Sequence, residues 1–344
     1  MAAGGEEAMK RGARLERVHE ILERGRVANI GNPWEGSTKR RDALRRHLGY
    51  WWAIGADAVI ISWIGFGVKL KPEVEVPRRA FNNHRSYNEE VEHINAEHET
   101  HVRDGSFVEA EEDEITVGNP LQVEVNMKGE RRMCADARYA NAHLADYAFT
   151  QETLNQHVAM LVKWMDEMIT TDVEKGYYQV ALHKESQGLC AWRHNGKWFK
   201  PSILVFGLSV APFIFTKIMR VVLVFMRALR ISGTNCIDDN LWAAPKEQIG
   251  EVTAIAKLVF GSLGWTFNSK CVFEPSTTVL YNGMWIDSKK FEIRATDEKI
   301  ETVRKLAWKV WYKVRDGLDV KLNDLEVLTG RLQSLKLALE GVTE

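Results

Sequence analysis

Two adjacent carboxylates, Asp238 and Asp239, lie in the segment Cys236-Ile237-Asp238-Asp239-Asn240, between an apolar run at 213–231 and a second apolar stretch at 241–244. Two unit charges about 4 Å apart repel by roughly 4 kcal/mol at an effective dielectric near 20. Protonation, solvent or a divalent cation relieves that repulsion. Alone, an Asp-Asp pair fits a solvated turn as readily as a metal site. A third carboxylate, Asp172, closes the strand pattern Met168-Ile169-Thr170-Thr171-Asp172-Val173. A strand end is a good place for a metal ligand, and equally a place from which to cap the next element.

The elements that must hold these groups can be read from periodicity. Residues 121–127 alternate as a strand, 128–130 turn, and 131–136 return as a second strand. That hairpin carries Lys128, Arg131 and Arg132, either as a solvated tip or as a clamp for a polyphosphate, whose oxygens match an Arg fork. A helix is expected over 151–168. Asn195-Gly196 marks a tight hairpin between apolar strands. Gly207 allows close backbone approach, and Pro212 pre-sets the first turn of a helix starting near Phe213. Residues 249–263 read as a helix, and 265–273, 278–287 and 290–294 as strands. Two helices, at 297–314 and 322–339, close the chain. At the other end, 7–27 form an amphipathic helix, and the basic stretch 38–54 presents either a solvated face or a nucleic-acid contact.

Of the 344 residues, 45% are hydrophobic and 27% charged, which excludes a disordered chain. The net charge of −1 says little, because nucleic-acid binding needs a local basic surface. The four cysteines form no CxxC, as expected of reduced thiols inside the cell, in cytoplasm or nucleus. The stretch 50–68 approaches membrane-spanning length, but Asp57 and three glycines interrupt it, so buried helix and strand are expected and no membrane partner. His98-Glu99-Thr100-His101 is one residue short of a zincin helix. Within the polar stretch 85–114 a solvated helix followed by the acidic loop 109–114 is the expectation.

Five segments in order resemble the palm of reverse transcriptases: Thr171-Asp172-Val173 with Gly176-Tyr177, Phe206-Gly207-Leu208-Ser209-Val210-Ala211-Pro212, Ile237-Asp238-Asp239, Gly264-Trp265 through Lys270, and Asn282-Gly283-Met284-Trp285. The run from Arg132 through Asp136 and Arg138 to Asn141 is similar to their fingers motif, and the likeness spans about residues 119–340. Within that family the DIRS-like retrotransposon enzymes look most similar, with gypsy-like retroelements and pararetroviruses next. Cys236, Val205, Asn282 and Asn240 depart from the family pattern, which is more apolar or aromatic there.

The resemblance implies an α+β right-hand fold. Residues 1–80 would be a mostly helical extension, 81–295 fingers and an antiparallel palm sheet backed by helices, and 296–344 the start of a helical thumb, ending before any RNase H domain. It implies an RNA-directed DNA polymerase that adds dNTPs to a primer 3′-OH on an RNA or DNA template. Asp172, Asp238 and Asp239, with the Val173 carbonyl, would hold two Mg²⁺ ions, for which Mn²⁺ could substitute. Lys270 would protonate pyrophosphate. Lys128, Arg132, Tyr177, Phe206 and Gly207 would bind the nucleotide, Tyr177 by excluding a ribose 2′-OH. Gly283, Met284 and Trp285 would grip the primer. The alternative expectation is a decayed or domesticated palm that binds nucleic acid without catalysis.

Overall fold

The computed structural model describes residues 12–125, 129, 131–152, 158 and 161–339. Lys128 and residues 153–157, 159 and 160 of the helix expected over 151–168 lie outside them; of the rest of that helix, 162–166 are not helical and the strand Glu167–Asp172 has begun by 167. The chain clusters into two compact units, one of residues 1–151, 173–229 and 254–269, the other of 152–172, 230–253 and 270–344.

In the first unit, the stretch weighed as membrane-spanning is two short helices, Leu48–Ala53 and Ala58–Phe66. Asp57 separates them by capping the second, its carboxylate accepting the Ile60 N–H at 2.9 Å. Among the described residues no helix is long and apolar enough to cross a membrane. The hairpin expected over 121–136 pairs Leu121–Val125 with Arg131–Ala135 in antiparallel register, Glu124 opposite Arg132. The strands Trp192–His194 and Lys197–Pro201 meet at Asn195-Gly196, where both residues have positive φ, as a two-residue type I′ turn requires. Pro212 opens the helix Ala211–Ala228, which buries Ile214, Phe215, Ile218, Met219 and Val222 on one face.

One expectation in this unit is overturned. The helix Val91–Arg103 is not solvated along its histidine face: His98 and His101 are buried. His98 stacks on His194 with ring centroids 4.1 Å apart and accepts the Trp192 Nε1–H at 3.2 Å. Burial, with the neighbouring His194, pushes its pKa down to about 3, so it packs as a neutral ring. For His101, burial acts to lower the pKa, but hydrogen bonds to Asp104 and Glu97 outweigh it and raise it. Composition gives no warning of this, because His is ambiguous between core and surface.

The second unit is built on a four-stranded antiparallel sheet in the order Val272–Ser276, Glu167–Asp172, Asp239–Ala244, Ser232–Cys236. A three-stranded antiparallel sheet, Thr278–Tyr281, Met284–Asp287 and Glu292–Ala295, packs beside it. Met168, Leu241, Ala243, Val279, Tyr281 and Ile286 share one apolar core. The strand expected at 278–287 is two strands, folded back at Asn282-Gly283, where both residues have positive φ. The strand expected at 265–273 instead begins at Val272, after an irregular approach. The helices Asp297–Arg315 and Leu322–Leu339 follow, the first capped by the Thr296 side chain.

Candidate active site

The central strand ends on Asp172, and the neighbouring strand begins on Asp239. In the antiparallel register these two residues are direct partners. Directly opposed Cβ atoms lie about 4.5–5.5 Å apart, and like charges placed there destabilise a sheet. On its other side Asp239 pairs with Cys236, closing a two-residue hairpin turn made of Ile237 and Asp238. The turn is strained: Ile237 has φ +57°, where a β-branched residue costs about 1–3 kcal/mol.

Two buried amides hold this turn. Asn235 and Asn240 are cross-strand partners, 6% and 1% exposed. Asn235 Nδ2 donates to the Ile237 carbonyl at 2.8 Å and to Asn240 Oδ1 at 3.1 Å. Asn240 Nδ2 donates to the Asp238 carbonyl at 3.1 Å and to the Thr171 carbonyl at 3.2 Å. Asn240 thus ties the turn to the strand that ends in Asp172. Cys271 braces that strand end from the other side: its Sγ accepts the Asp172 N–H at 3.1 Å, and the thiol faces the Asp172 carbonyl at 3.3 Å.

The carboxylates feel one another. Burial, then the charge of Asp238, raises the pKa of Asp172 to about 6, against the opposing pull of Lys270. Burial, then Asp238 and Asp172, raises that of Asp239 to about 6, again against Lys270. The site therefore brings together three of the expected carboxylates and the expected lysine, with negative charge in excess. Its donors are hard oxygens, the kind Mg²⁺ prefers, and carboxylates raised this far are stabilised when a cation arrives. Among the described residues no group of three or more His, Cys, Asp or Glu side chains is placed to hold a metal ion.

Gly283, Met284 and Trp285 follow the Asn282 turn. Gly283 has φ +69°, and a Cβ there would lie 2.7 Å from the Lys299 side chain. Met284 is buried and Trp285 is 38% exposed. Asn282 Nδ2 reaches Cys236 Sγ at 3.5 Å, and Lys299 Nζ donates to the Asn282 carbonyl at 3.1 Å. Two of the positions that depart from the family pattern, Cys236 and Asn282, are therefore partners in contact.

The remaining expected residues belong to the first unit. Arg132 is exposed on its hairpin. Arg138 forks onto Asp136 at 2.8 and 2.6 Å, which together with His84 holds that carboxyl well below the usual range. Asn141 Nδ2 donates to the Gly207 carbonyl at 2.8 Å, and its Oδ1 accepts the Ser209 N–H at 2.9 Å. Gly207 has φ +98°, and a Cβ there would meet the Ala135 carbonyl at 2.4 Å, so no side chain fits. Tyr177 packs against Phe206 at 5.1 Å and Phe215 at 5.3 Å. Val173 is buried, its backbone bridging Phe267. The sequence reading missed Asn235 and Cys271, neither of which carries a local signal. Their partners lie across a strand pair or far along the chain.

This architecture is a reverse-transcriptase-like fold, of mixed α+β type with several antiparallel sheets. The chain is similar to the foamy viral protease-reverse transcriptase dRH solved in complex with ds DNA, with a TM-score of 0.59 at 15% identity over 77% of this chain and 43% of that one. It is similar also to the foamy viral protease-reverse transcriptase in complex with RNA/DNA hybrid, with a TM-score of 0.57 at 13% identity over 93% of this chain and 40% of that one. The chain thus spans less than half the length of either, and at these identities the likeness is one of fold. No family of known domains matches the sequence, and no curated protein matches it.

Proposed function

We propose that this protein is an RNA-directed DNA polymerase of a retroelement, most similar to the DIRS-like group. The observation that carries the reading is the strand register that sets Asp172 opposite Asp239, with Asp238 in the turn between strands, inside a reverse-transcriptase-like fold. Asp172, Asp238 and Asp239, with the Val173 carbonyl, would hold two Mg²⁺ ions, or Mn²⁺ in their place. Bound there, such ions lower the pKa of a primer 3′-OH and neutralise charge on departing pyrophosphate.

The chain's own residues do the rest. Lys270, whose charge already acts on Asp172 and Asp239, supplies a proton to the pyrophosphate oxygen. Arg132, with Lys128, contacts the triphosphate, and Phe206 and Gly207 contact the incoming base. Gly283, Met284 and Trp285 position the primer end. In this reading residues 1–80 form the helical extension, 81–295 the fingers and palm, and 296–344 the thumb. The partners are an RNA or DNA template with its primer and dNTPs, met inside the cell in cytoplasm or nucleus.

Primer extension on an RNA template with Mg²⁺ and dNTPs tests the reading. Template-dependent extension is expected. Nucleic-acid binding with no extension in either Mg²⁺ or Mn²⁺ would favour the decayed, non-catalytic palm instead. Tyr177, fixed between Phe206 and Phe215, is proposed as the ribose gate. Tyr177→Ala is expected to raise rNTP incorporation relative to dNTP by roughly tenfold or more, since a steric filter loses its clash. An unchanged rNTP/dNTP ratio sinks that assignment.

A further inference from the structure

Four rings meet at the start of the helix Ala211–Ala228. Phe213 stacks on Tyr147 at 4.7 Å with planes 9° apart, and Phe149 and Trp63 approach it edge-on at 6.0 and 6.4 Å. Trp63, Tyr147 and Phe213 line a groove of about 350 Å³ between that helix and the helix Ala58–Phe66. A second hollow of about 470 Å³ shares Val59, Trp63, Lys69 and Lys71 with the first and runs on to Phe66 and His183. Tyr147 is 42% and Phe66 66% exposed, so rings are offered to solvent along both hollows.

Cations alternate with these rings. Lys69 and Lys71 stand exposed on the shared wall, and Lys217 lies 5.5 Å over Phe213. Asp57 is the one acidic residue among the described residues lining either hollow, and its carboxylate is already committed to the Ile60 N–H. Glu185, outside the lining, pairs with Lys69. The wall keeps a positive excess. Rings interleaved with ammonium groups complement unpaired bases joined by phosphates. A duplex would present its phosphates but keep its base faces hidden.

We propose that these adjoining hollows are a track for an unpaired nucleic-acid strand. Its bases rest on Trp63, Tyr147 and Phe66, and its phosphates on Lys69, Lys71 and Lys217. The proposal gives residues of the N-terminal extension a binding role and goes beyond the polymerase reading, since strand capture there needs no catalysis. Base faces and phosphates are common to RNA and DNA, so the track does not discriminate between the sugars.

Fluorescence anisotropy on the full chain tests it, with labelled oligo-dT and oligo-U of about 15 nucleotides and a blunt duplex of the same length. The two single strands are expected to bind within about threefold of each other, and the substitutions below to weaken strand binding more than duplex binding. Lys71→Gln/Lys217→Gln should weaken binding about tenfold and flatten the slope of log K against log salt by about 1.4, at about 0.7 per lost contact. Tyr147→Ala should weaken binding about tenfold and leave the slope unchanged. Melting curves check that the exposed substitutions fold. An unchanged slope in the double glutamine variant, undiminished strand binding by Tyr147→Ala, or no strand binding by the parent at low salt overturns the proposal. If the parent binds strands by this pattern but never extends a primer, the track stands and the polymerase reading falls.

Discussion

Asp172→Asn and Asp239→Asn are each expected to reduce template-directed dNTP addition by roughly a thousandfold or more, as loss of one member of a cooperating catalytic set does. The same substitutions should make the metal-free chain harder to unfold at neutral pH. The register opposes the two carboxylates directly, so neutralising either removes a like-charge cross-strand pair and is worth roughly 1 kcal/mol. A residue kept only for packing would show the reverse, with little effect on extension and a loss of stability.

The pH dependence follows from the same pair. In the folded, metal-free chain both carboxyls have pKa values of about 6, raised from 3.8, first by burial and then by neighbouring charge. The folded state therefore binds protons that the unfolded chain releases between those values. The stabilisation is fully present below pH 3.8 and is lost as the pH rises through about 6. The parent minus Asp172→Asn/Asp239→Asn difference in melting temperature should accordingly shrink as pH falls from 7.5 to 5. The difference between the two chains is the useful measure because Asp104 and Asp136, held low by their own partners, act in the opposite direction. At pH 7.5, Mg²⁺ should raise the melting temperature of the parent, by an amount set by its concentration relative to Kd. It should leave the double variant unmoved. Equal Mg²⁺ shifts in both chains would remove these carboxylates from the metal site.

Asn235→Ala is the second substitution with a large expected effect, a loss of about 2–4 kcal/mol in unfolding free energy. It strips the donor from the partly buried Ile237 carbonyl and from the buried Asn240 Oδ1. Asn240→Leu should cost a similar amount, by orphaning the Asp238 and Thr171 carbonyls and Asn235. Because the two amides satisfy one another, Asn235→Ala/Asn240→Leu should lose less than the sum of the singles. A double-mutant cycle by urea unfolding is expected to give a coupling of at least about 1 kcal/mol. Additive losses would mean that the amides act separately. The arrangement also accounts for a polar residue at 240 where the family pattern is more apolar. Holding Ile237 at positive φ requires its turn carbonyl to be satisfied, and a cross-strand amide pair does this from inside the sheet.

Much of the molecule was legible in its residues because the signals are local. Asn195-Gly196 can only be a tight turn between two apolar strands, Pro212 can only stand at a helix start, and Asp57 interrupts an apolar run of nearly membrane-spanning length; each acts through its immediate neighbours. The same logic was available at Asn282-Gly283, yet the apolar alternation on either side runs through the pair and masks the turn. His98 and His101 were misjudged because an imidazole is neutral or charged according to what surrounds it, and their surroundings come from Trp192, His194 and Asp104.

By itself, then, the sequence determined which groups could do chemistry: two adjacent aspartates at a turn, a third at a strand end, and a lysine beyond. Only the tertiary structure decided that Asp172 stands opposite Asp239 and that Asn235 and Asn240 clasp the turn between them. The physical reason is strand register. A slip of one residue would turn every side chain to the other face, and register is set by pairing between segments distant in the chain, which no local pattern records.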